Sequence, residues 1–169
     1  MVYTILKEMD AKGYRLPMVA ITGGFSTEDH VFKGLALGAP YIQLVGIGRP
    51  AMASATVGKL VGESILEGKV VKEYERYGNT IESVFVNAKV LKKAYGLANK
   101  NITPGAMGLY SYIERITRGL QQLMALNRKF FLAHIERGDI LALTEQASNE
   151  TGIMTYSQRL NLELKGEIL

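Results

Sequence analysis

The sequence predicts an α/β fold in which two parallel strands and their helices occupy residues 1–68 and a mainly helical extension occupies residues 69–169. Two observations lead there. Between Met18 and Ala53 the chain twice passes from an apolar run through a glycine turn into a helical pattern. Beyond Gly68 the apolar residues recur at the spacing of a helix face.

Residues 2–12 place Val2, Ile5, Leu6 and Met9 on one side of a first helix. After Pro17, the residues Met18, Val19, Ala20 and Ile21 form a continuous apolar run that stops at Thr22, Gly23 and Gly24. A run without alternation is the pattern of a strand covered on both faces. Ser26 with Asp29 three residues on reads as a variant capping box, and Val31, Phe32, Leu35 and Ala36 keep helical spacing as far as Gly38. Ala39 and Pro40 lead into a second strand, Tyr41 to Ile47. Gly48, Arg49 and Pro50 then open another helix, with proline suited to a first helical position because its missing N–H has no helical partner to lose. A crossover of this length joins parallel neighbours right-handedly, so both glycine turns fall at one edge of the sheet.

The helix from Ala51 to Leu66 carries Val57, Leu60, Val61 and Ile65 and stops at Gly68. Val70 to Tyr77 reads as a short helix. Asn79 or Thr80 caps a further one, whose stripe of Ile81, Val84, Phe85, Ala88, Leu91 and Ala94 runs to Gly96. Asn101 to Gly108, with Pro104 and two glycines, reads as the main loop of the extension. A long helix is expected from Leu109 to Ile135, with Ile113, Ile116, Leu120, Leu123, Met124, Asn127, Phe130 and Phe131 along one side. Asp139 is expected to cap a last helix through Ala147, and the chain from Asn149 to form a loosely ordered or docking tail.

The chemistry of the first third follows from its turns. Strand-end glycines let a backbone approach an anion without a Cβ in the way, and the helix that follows offers unpaired N–H groups at its positive end. Gly23 and Gly24 form one such turn, Gly48 and Arg49 the other, and the Arg49 guanidinium can add a charge-assisted hydrogen bond to a phosphate.

The stretch ITGGFSTEDHVFKGLALGAPYIQLVGIGRPAMA resembles the seventh and eighth β/α units of FMN-dependent TIM barrels, most closely the FMN-binding synthase domain of glutamate synthase and its stand-alone relatives. Inosine monophosphate dehydrogenases share a more distant version. The downstream text RGLQQLMALNRKFFLAHIERGDILALTEQASNETGI is similar to the C-terminal extension of the same branch. The resemblance implies an incomplete barrel, its last two to three β/α units, and FMN as the cofactor of the intact parent, its phosphate held by Gly23, Gly24, Phe25, Gly48 and Arg49. It further implies a role in glutamate biosynthesis, on a chain that is the last third of a larger enzyme. The segment gripping the flavin ring and substrate would lie on the missing barrel portion, so the isolated chain is expected to be inactive, to dock on that portion or to self-associate. Large glutamate synthases hold an iron–sulfur cluster through cysteines after the eighth strand. This chain has no cysteine, so thiolates cannot hold a cluster here and electrons would come from a partner protein.

Other classes find little footing. The formal net charge is +4, yet the basic residues are scattered among acidic ones and form no stripe with interleaved aromatics, so no nucleic-acid partner is expected. No apolar run approaches the roughly 18 residues of a membrane span. No leader pattern is visible, and a cytoplasmic location is the default expectation. The two histidines, His30 and His134, lack metal-ligand spacing, and His30 reads as a solvent-facing or packed residue of a first helical turn. Glu28 and Asp29 read as acids that favour the helix dipole rather than as a catalytic pair. Ser54, Ser83 and Ser157 lack a nucleophile elbow, so no catalytic residue is assigned and no hydrolytic triad is expected. Two alternatives remain beside the flavin reading: a catalytically silent interaction or oligomerisation module, and a phosphosugar- or nucleotide-binding barrel portion, since phosphate cradles recur without fixing the ligand.

Overall fold

A computed structural model describes residues 2–95 and 102–167. The chain is α/β and mostly helical, with one sheet of two parallel strands among the described residues. It divides into two compact units, Met1–Gly46 with Leu120–Leu169, and Ile47–Gly119.

The first unit begins with α1 (Val2–Ala11), β1 (Val19–Thr22), α2 (Glu28–Gly38) and β2 (Ile42–Gly46). The strands pair parallel, Ala20 opposite Leu44, Ile21 opposite Val45 and Thr22 opposite Gly46, with an irregularity between Val19 and Ala20. Leu6, Val31, Phe32, Leu35 and Ala36 are buried here together with Ile135 and Ile153. The expectation that the first strand is covered on both faces does not hold. β1 alternates between half-buried and exposed residues, Met18 is 78% exposed and Leu44 49%. The reason is that Ile21 packs on α2, while Ala20 and Leu44 on the other face are exposed among the described residues.

The second unit holds α3 (Arg49–Leu66), a 3-10 turn at Glu75–Tyr77, α4 (Ile81–Val84), α5 (Ala88–Tyr95) and the start of α6 (Pro104–Leu126). Its core joins Val61, Ile65, Ile81, Phe85, Leu91 and Met107. Gly68 takes φ 75°, and α3 ends there with the Gly68 and Lys69 N–H groups donating to the Ile65 and Ser64 carbonyls. Thr80 is the N-cap of α4 in a reciprocal capping box with Ser83. Only three residues of the expected Val70–Tyr77 helix are helical, in the 3-10 turn. The stripe from Ile81 is broken in two because Phe85 adopts extended backbone at φ −97°, ψ 100°. Its expected stop, Gly96, lies outside the described residues.

The loop expected over Asn101–Gly108 is replaced by helix from Pro104 onward, and Asn101 lies outside the described residues. Thr103 accepts the Ala106 N–H on its hydroxyl, and Pro104 occupies the first helical position, so the start is well formed. Gly105 and Gly108 are helical because α3 is close. A Cβ on Gly108 would lie 2.6 Å from the Ser54 carbonyl oxygen and 2.8 Å from the Gly58 Cα, and one on Gly62 would lie 2.0 Å from the Pro104 Cβ. The glycines permit close backbone approach rather than a turn.

The helix expected as far as Ile135 stops at Leu126. Arg128 takes φ 55°, and the Lys129 N–H donates to the Met124 carbonyl, closing the helix end with a left-handed residue other than glycine. Phe130 and Phe131, expected on an apolar helical side, are 77% and 66% exposed. Asp139 does not cap a helix running to Ala147. It sits in a 3-10 turn, Arg137–Asp139, where its carboxylate accepts the Glu136 N–H at 2.9 Å. Instead Thr144 caps α7 (Glu145–Thr151), its hydroxyl accepting the Ala147 N–H. The expected tail contains α8 (Tyr156–Leu164), started by a capping box between Thr155 and Gln158.

Candidate functional site

The two strands end side by side. Thr22 pairs with Gly46, its hydroxyl donates to the Gly46 carbonyl at 3.2 Å, and a Cβ on Gly46 would press on the Thr22 side chain at 3.2 Å. Glycine at the end of β2 leaves room for the Thr22 side chain beside it. The chain leaves the sheet at one edge in both cases, through Gly23 after β1 and through Ile47 after β2.

Gly23 and Gly24 follow β1 with φ 111° and 76°, backbone that L side chains rarely adopt. A Cβ at either would have nothing within 4 Å, so the turn is open on that side and the glycines serve conformation, not crowding. Phe25 is anchored from behind. A Cβ built on Gly34 of α2 would lie 2.6 Å from its ring, so Gly34 exists to seat Phe25. With the ring packed on α2, what Phe25 can offer a phosphate at the turn is its main chain.

The first turn of α2 departs from the expected capping box. Thr27, not Ser26, is the N-cap, with extended backbone and no side-chain cap. Ser26 Oγ instead lies 3.3 Å from Nδ1 of the exposed His30. The Thr27 hydroxyl donates to Asp29, and Lys33 Nζ donates to the other oxygen of that carboxylate at 2.8 Å. Those bonds hold the Asp29 carboxyl well below the usual carboxylate range, Lys33 contributing most. Asp29 is thus an ionised, already neutralised acid. Glu28 places one carboxylate oxygen out of water and without a hydrogen-bond partner.

Gly48 is the N-cap of α3 at φ −103°, ψ −85°, with open space where a Cβ would stand. Its carbonyl accepts the Met52 N–H at 3.1 Å. Arg49 is the first helical residue and is exposed, and Pro50 is second rather than first. The Arg49 and Ala51 N–H groups have no intrahelical acceptor at these positions, and Pro50 has no N–H at all. Neither start is closed by a side-chain cap, so each leaves first-turn amides available.

Comparison with protein families, curated proteins and solved structures gives no match. The site is therefore read from its own chemistry. Among the described residues, no three His, Cys, Asp or Glu side chains gather as metal ligands, and no helix is long and apolar enough to cross a membrane. Sequence reasoning passed over Arg137, which binds α2 to the C-terminal segment. Its guanidinium donates to the Leu37 carbonyl at 2.5 Å and to the Thr151 carbonyl, and stacks 3.9 Å over the Tyr3 ring. No local signal marks it, because its acceptor on α2 lies 100 residues away.

Proposed function

We propose that this chain supplies the phosphate-binding turns of an FMN-dependent, glutamate synthase-like oxidoreductase, as the last units of a TIM barrel completed by a further segment. The observation that carries the reading is the doubled strand–glycine turn–helix unit on strands paired in parallel, with Thr22 opposite Gly46. In barrel enzymes the loops after the last two strands are the usual phosphate holders. Gly23, Gly24 and Phe25 would donate main-chain N–H groups, and Gly48 and Arg49 a first-turn amide and a guanidinium. The open space at Gly23, Gly24 and Gly48 suits close approach of a phosphate monoester. Bound FMN would supply the redox chemistry, while these residues bind and orient it.

The test is the visible flavin spectrum of the longer parent protein after gel filtration with added FMN. Retained flavin supports the reading, and a colourless parent that ignores FMN refutes it. A second reading, a silent module that pairs through its sheet, is favoured by the exposed Met18 and Leu44 and by the absence of a third strand among the described residues. Light scattering separates the two: a monomer that binds FMN supports the flavin reading, and an assembly indifferent to flavin supports the second.

A further inference from the structure

A cavity of about 290 Å³ lies within the first unit, behind the turn that follows β1. Ile21, Phe25, Leu37 and Ile42 give it an apolar wall, and two charged side chains, Arg137 and Glu150, also line it. We infer that this cavity binds a free α-amino acid with a small branched apolar side chain.

The argument rests on the two charges. Arg137 is half-buried, and its recorded hydrogen bonds go to two main-chain carbonyls, Leu37 and Thr151. A guanidinium carries five N–H donors, so those bonds leave most of its donor capacity for an anion. No carboxylate of the described residues stands within 4.0 Å of it, so its charge is met only by carbonyl dipoles and the Tyr3 ring. Glu150 is exposed on α7 and receives one neutral donor, Gln146 Nε2 at 2.9 Å, and no cation. One cavity thus presents an unpaired cation and an unpaired anion that do not pair with each other. A ligand with a carboxylate and an ammonium satisfies both, whereas a simple acid or amine satisfies one.

The rest of the lining decides the side chain. Specific small-molecule sites combine an apolar body with a few converging polar groups, and this volume sits at the lower end of their range, near ~300 Å³. The apolar wall of Ile21, Leu37 and Ile42 suits a branched aliphatic body. Phe25, seated on Gly34, closes one wall and connects the cavity to the turn after β1. The inference does not depend on flavin binding, and its test uses none.

The full chain, labelled with ¹⁵N, is titrated separately with L-leucine, isocaproate, which lacks the ammonium, and isoamylamine, which lacks the carboxylate. The readout is the amide shifts of Gly34, Gly38 and Thr151. Saturable shifts with leucine are expected, with each analogue weaker by about tenfold. Because Arg137 also holds α2, the carboxylate contact is tested through isoamylamine rather than by replacing that residue. Glu150→Gln, at an exposed position, is expected to weaken leucine by about tenfold and to leave isocaproate unchanged. No saturable leucine shift up to about 50 mM overturns the site. An analogue equal to leucine, or a Glu150→Gln variant that binds leucine normally, overturns the zwitterion assignment.

Discussion

Replacing Gly108 with alanine tests whether the glycines of α6 mediate helix contact. The new Cβ would lie 2.6 Å from the Ser54 carbonyl oxygen and 2.8 Å from the Gly58 Cα, both backbone atoms of α3. No side-chain rotation relieves such a contact, so α3 and α6 must separate locally and the Val61–Ile65–Met107 core must loosen. Overpacking of this kind costs about 1–3 kcal/mol, while alanine in place of glycine in a helix returns about 1 kcal/mol. The rigid obstacle places the cost at the upper end, for a net loss of about 1–2 kcal/mol and a Tm lowered by roughly 2–8 °C for a chain of this size. Thermal unfolding followed by circular dichroism measures it. Gly138→Ala is the control, since its Cβ meets nothing within 4 Å and its φ is not positive. A Gly108→Ala protein as stable as the wild type, or more so, refutes the close-contact account and restores the view of Pro104–Gly108 as a loop.

Three further expectations follow from other parts of the chain. Phe85→Ala removes a buried ring from the second unit's core and should cost about 3–5 kcal/mol in urea unfolding; a loss under about 1 kcal/mol contradicts the core described. Thr155→Ala removes the N-cap of α8, and with it the reciprocal bond to Gln158, so α8 should lose about 1 kcal/mol of protection in amide exchange; unchanged exchange contradicts the capping box. The Asp29 carboxyl should titrate below the ordinary value of about 3.9. Because its folded value is depressed, its contribution to stability is present above the ordinary value and is lost as pH falls through the folded one. Carboxyl NMR checks this, and a midpoint that does not rise in Lys33→Met contradicts the role given to that lysine.

The elements around the glycine turns were legible because their signals are local. An apolar run stopped by Gly23 and Gly24, and a helix opened by Gly48, Arg49 and Pro50, need no distant partner to be read. The same reasoning failed at Gly105 and Gly108, where composition indicates a loop and the cause of helix is a contact with residues about 50 positions earlier. It failed again at Leu126, because the left-handed residue that ends α6 is Arg128, which carries none of the signal of a glycine. Coverage of the first strand was misread because apolar content reports a tendency to be buried and not the presence of what buries it. The turn residues themselves were readable, whereas the seating of Phe25 on Gly34 and the reach of Arg137 to Leu37 depend on tertiary packing.

The most direct test of the phosphate reading compares FMN with riboflavin, which differs from it by lacking the phosphate. In the ¹⁵N-labelled longer parent, FMN should shift the amides of Gly23, Gly24 and Arg49 and bind at least about tenfold more tightly than riboflavin, with Arg49→Gln narrowing that preference. Equal binding of the two flavins, or FMN that leaves those three amides unmoved, contradicts it.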